Sequence, residues 1–487
     1  MLKLTVSLLV KGISVAALAI AAVSTPLAWA VDSANAPRPI PLTRPEMKEF
    51  LEDMKGRTQR IPLPELTDAD RDKLGERSGS YESRLRYHYM PPAEGQGPGG
   101  QGRGEGRGAG GGGFGRDNDP DMTLDYAFKV QLFWIVSRTN NCQYCLGHQE
   151  SKLLGAGMTE DEIAALDGDW SEHTPAQRTA YAFARKITYE PHLLSDSDIE
   201  GLRKFYSDKQ ILEMILSVAG NNSINRWKEG AGIPQSTGGG NFGNRRPGDA
   251  AAERPARSTT TTHSYLTPTS EKFQKSITKV APIAIDPKTG AATRLTVSNR
   301  PPLESRTDVE KILQTARQRT PRLPLVDEEK ARELLSEGAA DGPLPQWVRL
   351  LATFPTSAKG RVRSIQSAET RNDLDPLLRA QLSWIIARQD RAWYAVGQSK
   401  QRLKDLGWSD DQIYTLDGNW AEFTAAERSL FNVARKLAAT PVVLNDSDVA
   451  EAVKQAGPRD VVQTISYTTN RASFDRITEA AGLRIEN

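Results

Sequence analysis

Gln131 to Trp170 reads QLFWIVSRTNNCQYCLGHQESKLLGAGMTEDEIAALDGDW, and Gln381 to Trp420 reads QLSWIIARQDRAWYAVGQSKQRLKDLGWSDDQIYTLDGNW. The two stretches align without a gap at an offset of 250 residues. The register holds through ARK at Ala184 and Ala434, DSD at Asp196 and Asp446, and AGI and AGL at Ala231 and Ala481. About a third of the aligned positions are identical, far more than chance gives an ungapped match of this length, so the chain contains one unit twice. Upstream, RTQRIPLPE at Arg57 resembles RTPRLPLVD at Arg319 at an offset of 262. The change in offset places extra residues in the first copy, where GQGPGGQGRGEGRGAGGGGFGR runs from Gly95 to Arg116. A tract with so few apolar side chains cannot bury surface, and it reads as a solvated insert.

Within each copy the pattern is helical. Apolar residues recur at three- and four-residue spacing in LDYAFKVQLFWIVSR, PAQRTAYAFARKI and KQILEMILSVAGNNSINRW, and Ser and Asp stand where helices begin, as in SDSDIEGLRKF. Alternating strand patterns bounded by hairpin turns are absent from both copies. The expected fold is all-α, with two tandem helical domains packed on one another as an intrachain pseudo-dimer. The division is a leader over 1–30, a helical extension of the first unit over 31–92, a Gly-rich insert over 93–118 and a first domain over 119–234. A polar linker over 235–300, a helical extension of the second unit over 301–370 and a second domain over 371–487 follow.

At 487 residues the chain is too long for one ordinary core. Lys and Arg number 63 against 61 Asp and Glu, a formal charge of +2, which supplies no global field for nucleic acid or an acidic membrane surface. The N-terminus carries Lys3 and Lys11, an apolar run, Pro26 and the small residues Ala28 and Ala30, the pattern of a secretory signal peptide cleaved after Ala30. The mature chain is therefore expected in the periplasm or outside the cell, with no membrane association after cleavage.

Cys142 and Cys145, the chain's two cysteines, lie in NNCQYCLGHQE. In an oxidising compartment a close dithiol tends toward a disulfide. As a staple it would do little: the entropy of closing a four-residue loop is worth about 2 kcal/mol, against about 3 for fifteen residues. Redox or metal chemistry explains the pair better. Thr139, Asn140 and Asn141 are expected to end one helix and cap another beginning at Cys142, with both thiols and His148 on one face and a thiolate favoured by the helix start. The histidine could take a proton from a thiol or give one to a leaving oxygen. A c-type haem site needs its histidine directly after the second cysteine, where Leu146 stands, and a thioredoxin site needs a preceding strand. Zinc would find three ligands in Cys142, Cys145 and His148, whereas a structural site takes four and no second CxxC or paired-His motif exists. No metal or other cofactor enters the favoured reading.

With NNCQYCLGHQ, EIAALDGDW, RTAYAFARKITYEPHLLSDSDIEGLRKF and QILEMILSVAGNNSINRWKEGAGIP in this order, the segment from Leu124 to Pro234 resembles the carboxymuconolactone decarboxylase superfamily, in its alkylhydroperoxidase D-like branch. The second copy resembles it more loosely. The resemblance implies an all-helical fold, oligomers, and reduction of a hydroperoxide by a cysteine pair that an external thiol or dithiol regenerates, a peroxiredoxin activity. By carry-over, Cys145 attacks the peroxide, Cys142 resolves, and His148 belongs to the proton relay. The chain departs from the branch at two points. Gln149 stands where the branch has its histidine, and Val130, between Lys129 and Gln131, stands where it has a relay glutamate.

The second copy is an internal control: Cys142, Cys145 and His148 become Ala392, Ala395 and Gln398, while Tyr144 and Gly147 persist as Tyr394 and Gly397. The thiols are thus expected to serve chemistry and the second copy to be catalytically silent. Two alternatives stay open, a non-catalytic binding or assembly protein on the same fold and a lactone decarboxylase-like enzyme. Trp170 and Trp420 read as core or turn anchors, His173 as a packing residue replaced by Phe423, and Arg226 and Arg476 as interhelical or capping charges.

Overall fold

The computed structural model describes residues 35–90, 119–234, 265, 267–283, 285–286, 288–292, 301–335, 342–370 and 373–486. The leader and the Gly-rich insert lie outside these residues. The fold is all-α, and among the described residues β-structure is confined to one isolated bridge between Ile285 and Ala292. No helix of the described residues is long and apolar enough to cross a membrane.

The first half contributes α1 (Arg44–Asp53), α2 (Asp68–Leu74), α3 (Tyr81–Tyr89), α4 (Tyr126–Asn140), α5 (Gln143–Gly155), α6 (Glu160–Ala165), α7 (Pro175–Tyr189), α8 (Asp196–Arg203) and α9 (Asp208–Gly230). After α10 (Glu271–Gln274), the second half adds α11 (Arg306–Ala316), α12 (Glu328–Leu335), α13 (Gln346–Leu351), α14 (Pro355–Thr370), α15 (Pro376–Asp390), α16 (Trp393–Asp405), α17 (Asp410–Thr415), α18 (Ala425–Ala438) and α19 (Asp446–Ala480). Helix α19 matches α8 and α9 together; its break falls at Gly457, whose φ of 86° no helix accommodates, and Pro458 starts the second stretch.

The residues shared by the two copies act alike. Thr159, Thr174, Ser195 and Ser207 close capping boxes at the starts of α6, α7, α8 and α9, as Ser409, Thr424 and Asn445 do at α17, α18 and α19. Asp167 of LDGDW accepts from Arg138 Nε at 3.0 Å, and Asp417 of LDGNW accepts from Arg388 Nε at 3.0 Å. Trp170 and Trp420 both have positive φ, 62° and 59°, and each indole donates back to a carbonyl at 2.8 Å, Leu166 O and Leu416 O. These are turn anchors. His173 meets Tyr181 edge-on at 5.2 Å, and Phe423 meets Phe431 edge-on at 5.2 Å, so the imidazole occupies a ring-packing position.

Helices α4 and α15 are buried from Leu132 to Asn140 and from Ala380 to Arg388, as befits the centre of a bundle. One apolar cluster joins side chains from the two halves: Ile61, Tyr81, Leu85 and Trp227 pack with Leu430, Val433, Val449, Val461 and Ile465. Reciprocal polar contacts cross the same seam. Arg226 donates to Ala438 O at 3.0 Å, and Arg476 donates to Thr188 O at 3.0 Å. The extended segments RTQR and RTPR close the last helix of their own half. Arg60 Nη1 donates to Glu229 O at 2.7 Å and Arg322 Nη1 to Glu479 O at 2.6 Å, satisfying carbonyls that a helix end leaves open. Each arginine also reaches an aspartate opening a helix of the other half, Arg60 to Asp446 at 2.6 Å and Arg322 to Asp196 at 2.9 Å.

These segments pass directly over the glycines of AGI and AGL. At Gly232, with φ of 63°, a Cβ would lie 2.5 Å from Arg60 Cβ; at Gly482, with φ of 61°, it would lie 3.0 Å from Arg322 Cγ. Gly232→Ala combines a left-handed backbone with a clash, and is expected to cost more than about 1 kcal/mol in a urea unfolding midpoint.

Part of the stretch read as a polar linker packs on the first half. Thr278 N donates to Leu42 O at 2.9 Å, Lys279 N to Asp167 O at 2.8 Å and Arg185 Nε to Val280 O at 2.8 Å, while Tyr265 and Val280 are buried.

Candidate active site

The turn between α4 and α5 holds the thiols. Helix α4 runs through Thr139 and Asn140, further than its polar end predicts. It stops at Asn141, whose left-handed φ of 58° and ψ of 36° reverses the chain. Cys142, not an asparagine, is the N-cap of α5, and Cys145 lies in its first turn. Asn141 Nδ2 is bound to Arg38 O and Pro39 O, both at 3.2 Å, so a strap from the N-terminal segment lies across the turn. Arg391 has the same left-handed conformation before α16 and donates to Pro301 O and Pro302 O. The turn is thus built identically around alanines.

The sulfurs of Cys142 and Cys145 are 2.7 Å apart, longer than the roughly 2.05 Å of a disulfide. The expected disulfide is not formed; both cysteines are free thiols in contact, with Cys142 the donor. Both are buried, at 0% and 2% exposure. Burial, the contact with Cys145 and the Glu229 carboxylate push the Cys142 thiol well up, overriding the helix start.

Glu229, near the end of α9, supplies a carboxylate beside Cys142. Its Oε1 is buried without a hydrogen-bond partner among the described residues, its Oε2 faces Arg38 at 3.4 Å and Arg57 at 3.5 Å, and the Cys142 thiol is close enough to act on the carboxyl group. Burial works to raise this carboxyl, but the guanidiniums of Arg38, Arg57 and Arg60 outweigh it and hold the group below its ordinary range. Burial and the neighbouring Arg38 push Arg57 down in turn. Val130, by contrast, is a core residue at 1% exposure. The sequence reading sought the carboxylate on α4 and missed it on α9. A signal was available: KEGAGI and TEAAGL keep Glu229 and Glu479, and RTQR and RTPR keep their arginine partners. In the second half Glu479 accepts from Tyr394 N at 3.1 Å and Arg319 at 3.0 Å.

His148 stacks on Tyr144 with ring centres 4.6 Å apart, and its Nδ1 faces Tyr144 O at 3.1 Å. A carbonyl only accepts, so Nδ1 carries the hydrogen there. Lys228 Nζ sits 4.7 Å over the Tyr144 ring and pairs with Glu82 of α3. Burial opposes the Glu82 carboxylate, but Lys228 and Arg86 hold it down to about 2. Adjacent residues of α9 therefore address the two sides of the site, Glu229 at Cys142 and Lys228 at Tyr144. Gln149 points elsewhere, its Nε2 on Asn221 Oδ1 at 3.4 Å.

In the second half Tyr394 donates to Glu486 at 3.0 Å, and Ile485 covers Gly397 so closely that a Cβ there would lie 2.7 Å from its Cδ1. Among the described residues no three His, Cys, Asp or Glu side chains group as metal ligands do. No protein-family model matches the chain, and no curated protein matches it.

Proposed function

We propose that this chain is an exported thiol-disulfide oxidoreductase of the peroxidase kind, on a fold like that of the carboxymuconolactone decarboxylase superfamily. The observation that carries the reading is the Cys142–Cys145 contact at a helix start, with a carboxylate and an arginine cluster against it, on a turn the second half builds the same way without thiols. In this reading the halves relate to one another as two subunits would, and residues 1–30 are a cleaved leader.

The chemistry follows from the two sulfurs. The Cys145 thiolate attacks one peroxide oxygen, the O–O bond breaks, and the alkoxide takes up the proton Cys145 gave up and leaves as an alcohol. Cys145 then carries a sulfenic acid. Cys142 passes its proton to Glu229 and attacks the Cys145 sulfur; the S–O bond breaks, and hydroxide takes that proton and leaves as water. Two electrons have moved from the dithiol to the peroxide, and an external dithiol restores the pair by exchange. The burial of both thiols favours a second reading, a binding or assembly protein with inert cysteines.

A single-turnover experiment separates the two. The reduced protein is expected to consume one hydroperoxide per Cys142–Cys145 pair, with both thiols lost together. Glu229→Gln, which cannot take the proton, is expected to slow disulfide closure by about 10²- to 10⁴-fold. Full retention of both thiols under excess hydroperoxide would leave the assembly reading in place.

A further inference from the structure

We infer that Asp446 of the second half is a positioning residue for the redox pair, acting on Cys142 through Arg60 and Glu229. The chain of contacts alternates in charge from surface to core. Asp446, its side chain 54% exposed, binds Arg60 Nε at 2.6 Å, and Arg60, at 5%, donates from Nη1 to Glu229 O at 2.7 Å. Glu229 lies against the Cys142 thiol.

Two further contacts from the same segment hold the redox turn. Val442 N donates to Asn140 O at 3.3 Å, two residues before Cys142, and Asn445 Nδ2 donates to Asn35 O at 3.0 Å, anchoring the strap that Asn141 grips. Residues 442–446 of the thiol-free half thus hold three supports of the first half's site: the end of α4, the strap, and the arginine over Glu229. The groups that bear on the thiols are Arg57, Glu229 and, through it, Arg38 and Arg60 on the Cys142 side, with Tyr144, Lys228 and Glu82 on the Cys145 side. Burial lowers Arg60, and Asp446 works against that by favouring the charged guanidinium, while the aspartate's own charge, 2.6 Å away, offsets part of the cation's field at Glu229 and Cys142.

The duplication supplies a control. Asp196 makes the same pair with Arg322, which caps Glu479 O, but no thiol lies beyond it. Ionisation of Cys142 is followed by ultraviolet absorbance in the full-length reduced Cys145→Ser chain, where it is the one remaining thiol, as the difference from a Cys142→Ser/Cys145→Ser chain. In that chain Asp446→Asn removes one counter-charge from Arg60, and the Cys142 midpoint is expected to fall by about half a pH unit. Arg60→Met removes the cation, and the midpoint is expected to rise. Asp196→Asn, which removes an equivalent pair, is expected to leave it in place. Opposite shifts are a signature that mere loosening of the fold does not give. An unmoved midpoint in Asp446→Asn, an equal shift in Asp196→Asn, or shifts of one sign in the Asp446 and Arg60 variants would overturn the inference. The inference rests on the redox reading only in treating the thiols as the working pair. The measurement reads ionisation, so a chain without peroxide turnover still tests it.

Discussion

A chain carrying Cys145→Ser is expected to consume no hydroperoxide, not even one equivalent, whereas Cys142→Ser consumes one and stops with a sulfenate that a dimedone-type reagent traps at Cys145. The asymmetry follows from the two environments. Cys142 donates to Cys145, and burial, that contact and Glu229 keep its proton in place. A thiol so held is a poor first nucleophile and a suitable second one, because a carboxylate stands ready for its proton once a sulfenic acid forms next to it. Loss of the attacking thiol should lower the single-turnover rate by about 10⁴-fold or more, the scale seen when a covalent nucleophile is removed. Loss of the resolving thiol should leave the first step intact. Mass spectrometry of the trapped adduct distinguishes the variants. A sulfenate at Cys142 in the Cys145→Ser chain would reverse the roles, and equal loss in both variants without any sulfenate would remove the division of labour.

The largest expected effect on stability is at Arg476. Its guanidinium is buried, pairs with Asp390 at 2.9 Å and donates to Thr188 O across the seam. Asp475 lies close by, its carboxyl pushed well up by burial, and Asp390 adds to that rise. Arg476→Met strands the Asp390 charge among these groups, and the urea midpoint should fall by an amount equivalent to about 3–5 kcal/mol. Adding Asp390→Asn should recover part of the loss, because the first half already has Asn140 at this place, bound to Asn222 and Asn225. A double variant no more stable than Arg476→Met would mean that the packing of the guanidinium, rather than its charge, carries the cost.

The helical class and the duplication are written locally, in apolar spacing and in capping residues, and both are visible in the sequence because neither depends on a distant partner. ARK and DSD make the pairs Lys186–Asp198 and Lys436–Asp448, which close consecutive helices onto each other. The thiol pair was legible for the same reason, being one turn of one helix. Glu229 was legible only as a residue kept in both copies, not as a neighbour of the thiols, because it comes from α9 and is brought to Cys142 by tertiary packing. The polar composition of 265–292 likewise conceals that Thr278 and Lys279 bond to Asp167 and Leu42, since backbone donors leave no trace in composition. The end of α4 lies two residues beyond its expected place for a related reason: Asn140 is held helical by Asn222 and Asn225, partners no local pattern announces.

The apolar cluster that joins Ile61, Tyr81 and Leu85 to Val461 and Ile465 closes chain separations of the order spanned by two neighbouring contacts: 374 residues from Gln463 to Tyr89 and 386 from Arg60 to Asp446. A chain growing from its N-terminus finishes α3 long before α19 exists, so one wall of that cluster waits for the other while the 374 residues from Tyr89 to Gln463 are made. Contacts this non-local are slow to form, and apolar surface left open meanwhile is open to proteases and to other nascent chains. Assembly is therefore ordered in time as well as in space: α1 finds α5 early, whereas α3 acquires its neighbours on α19 only after all the intervening chain has been made.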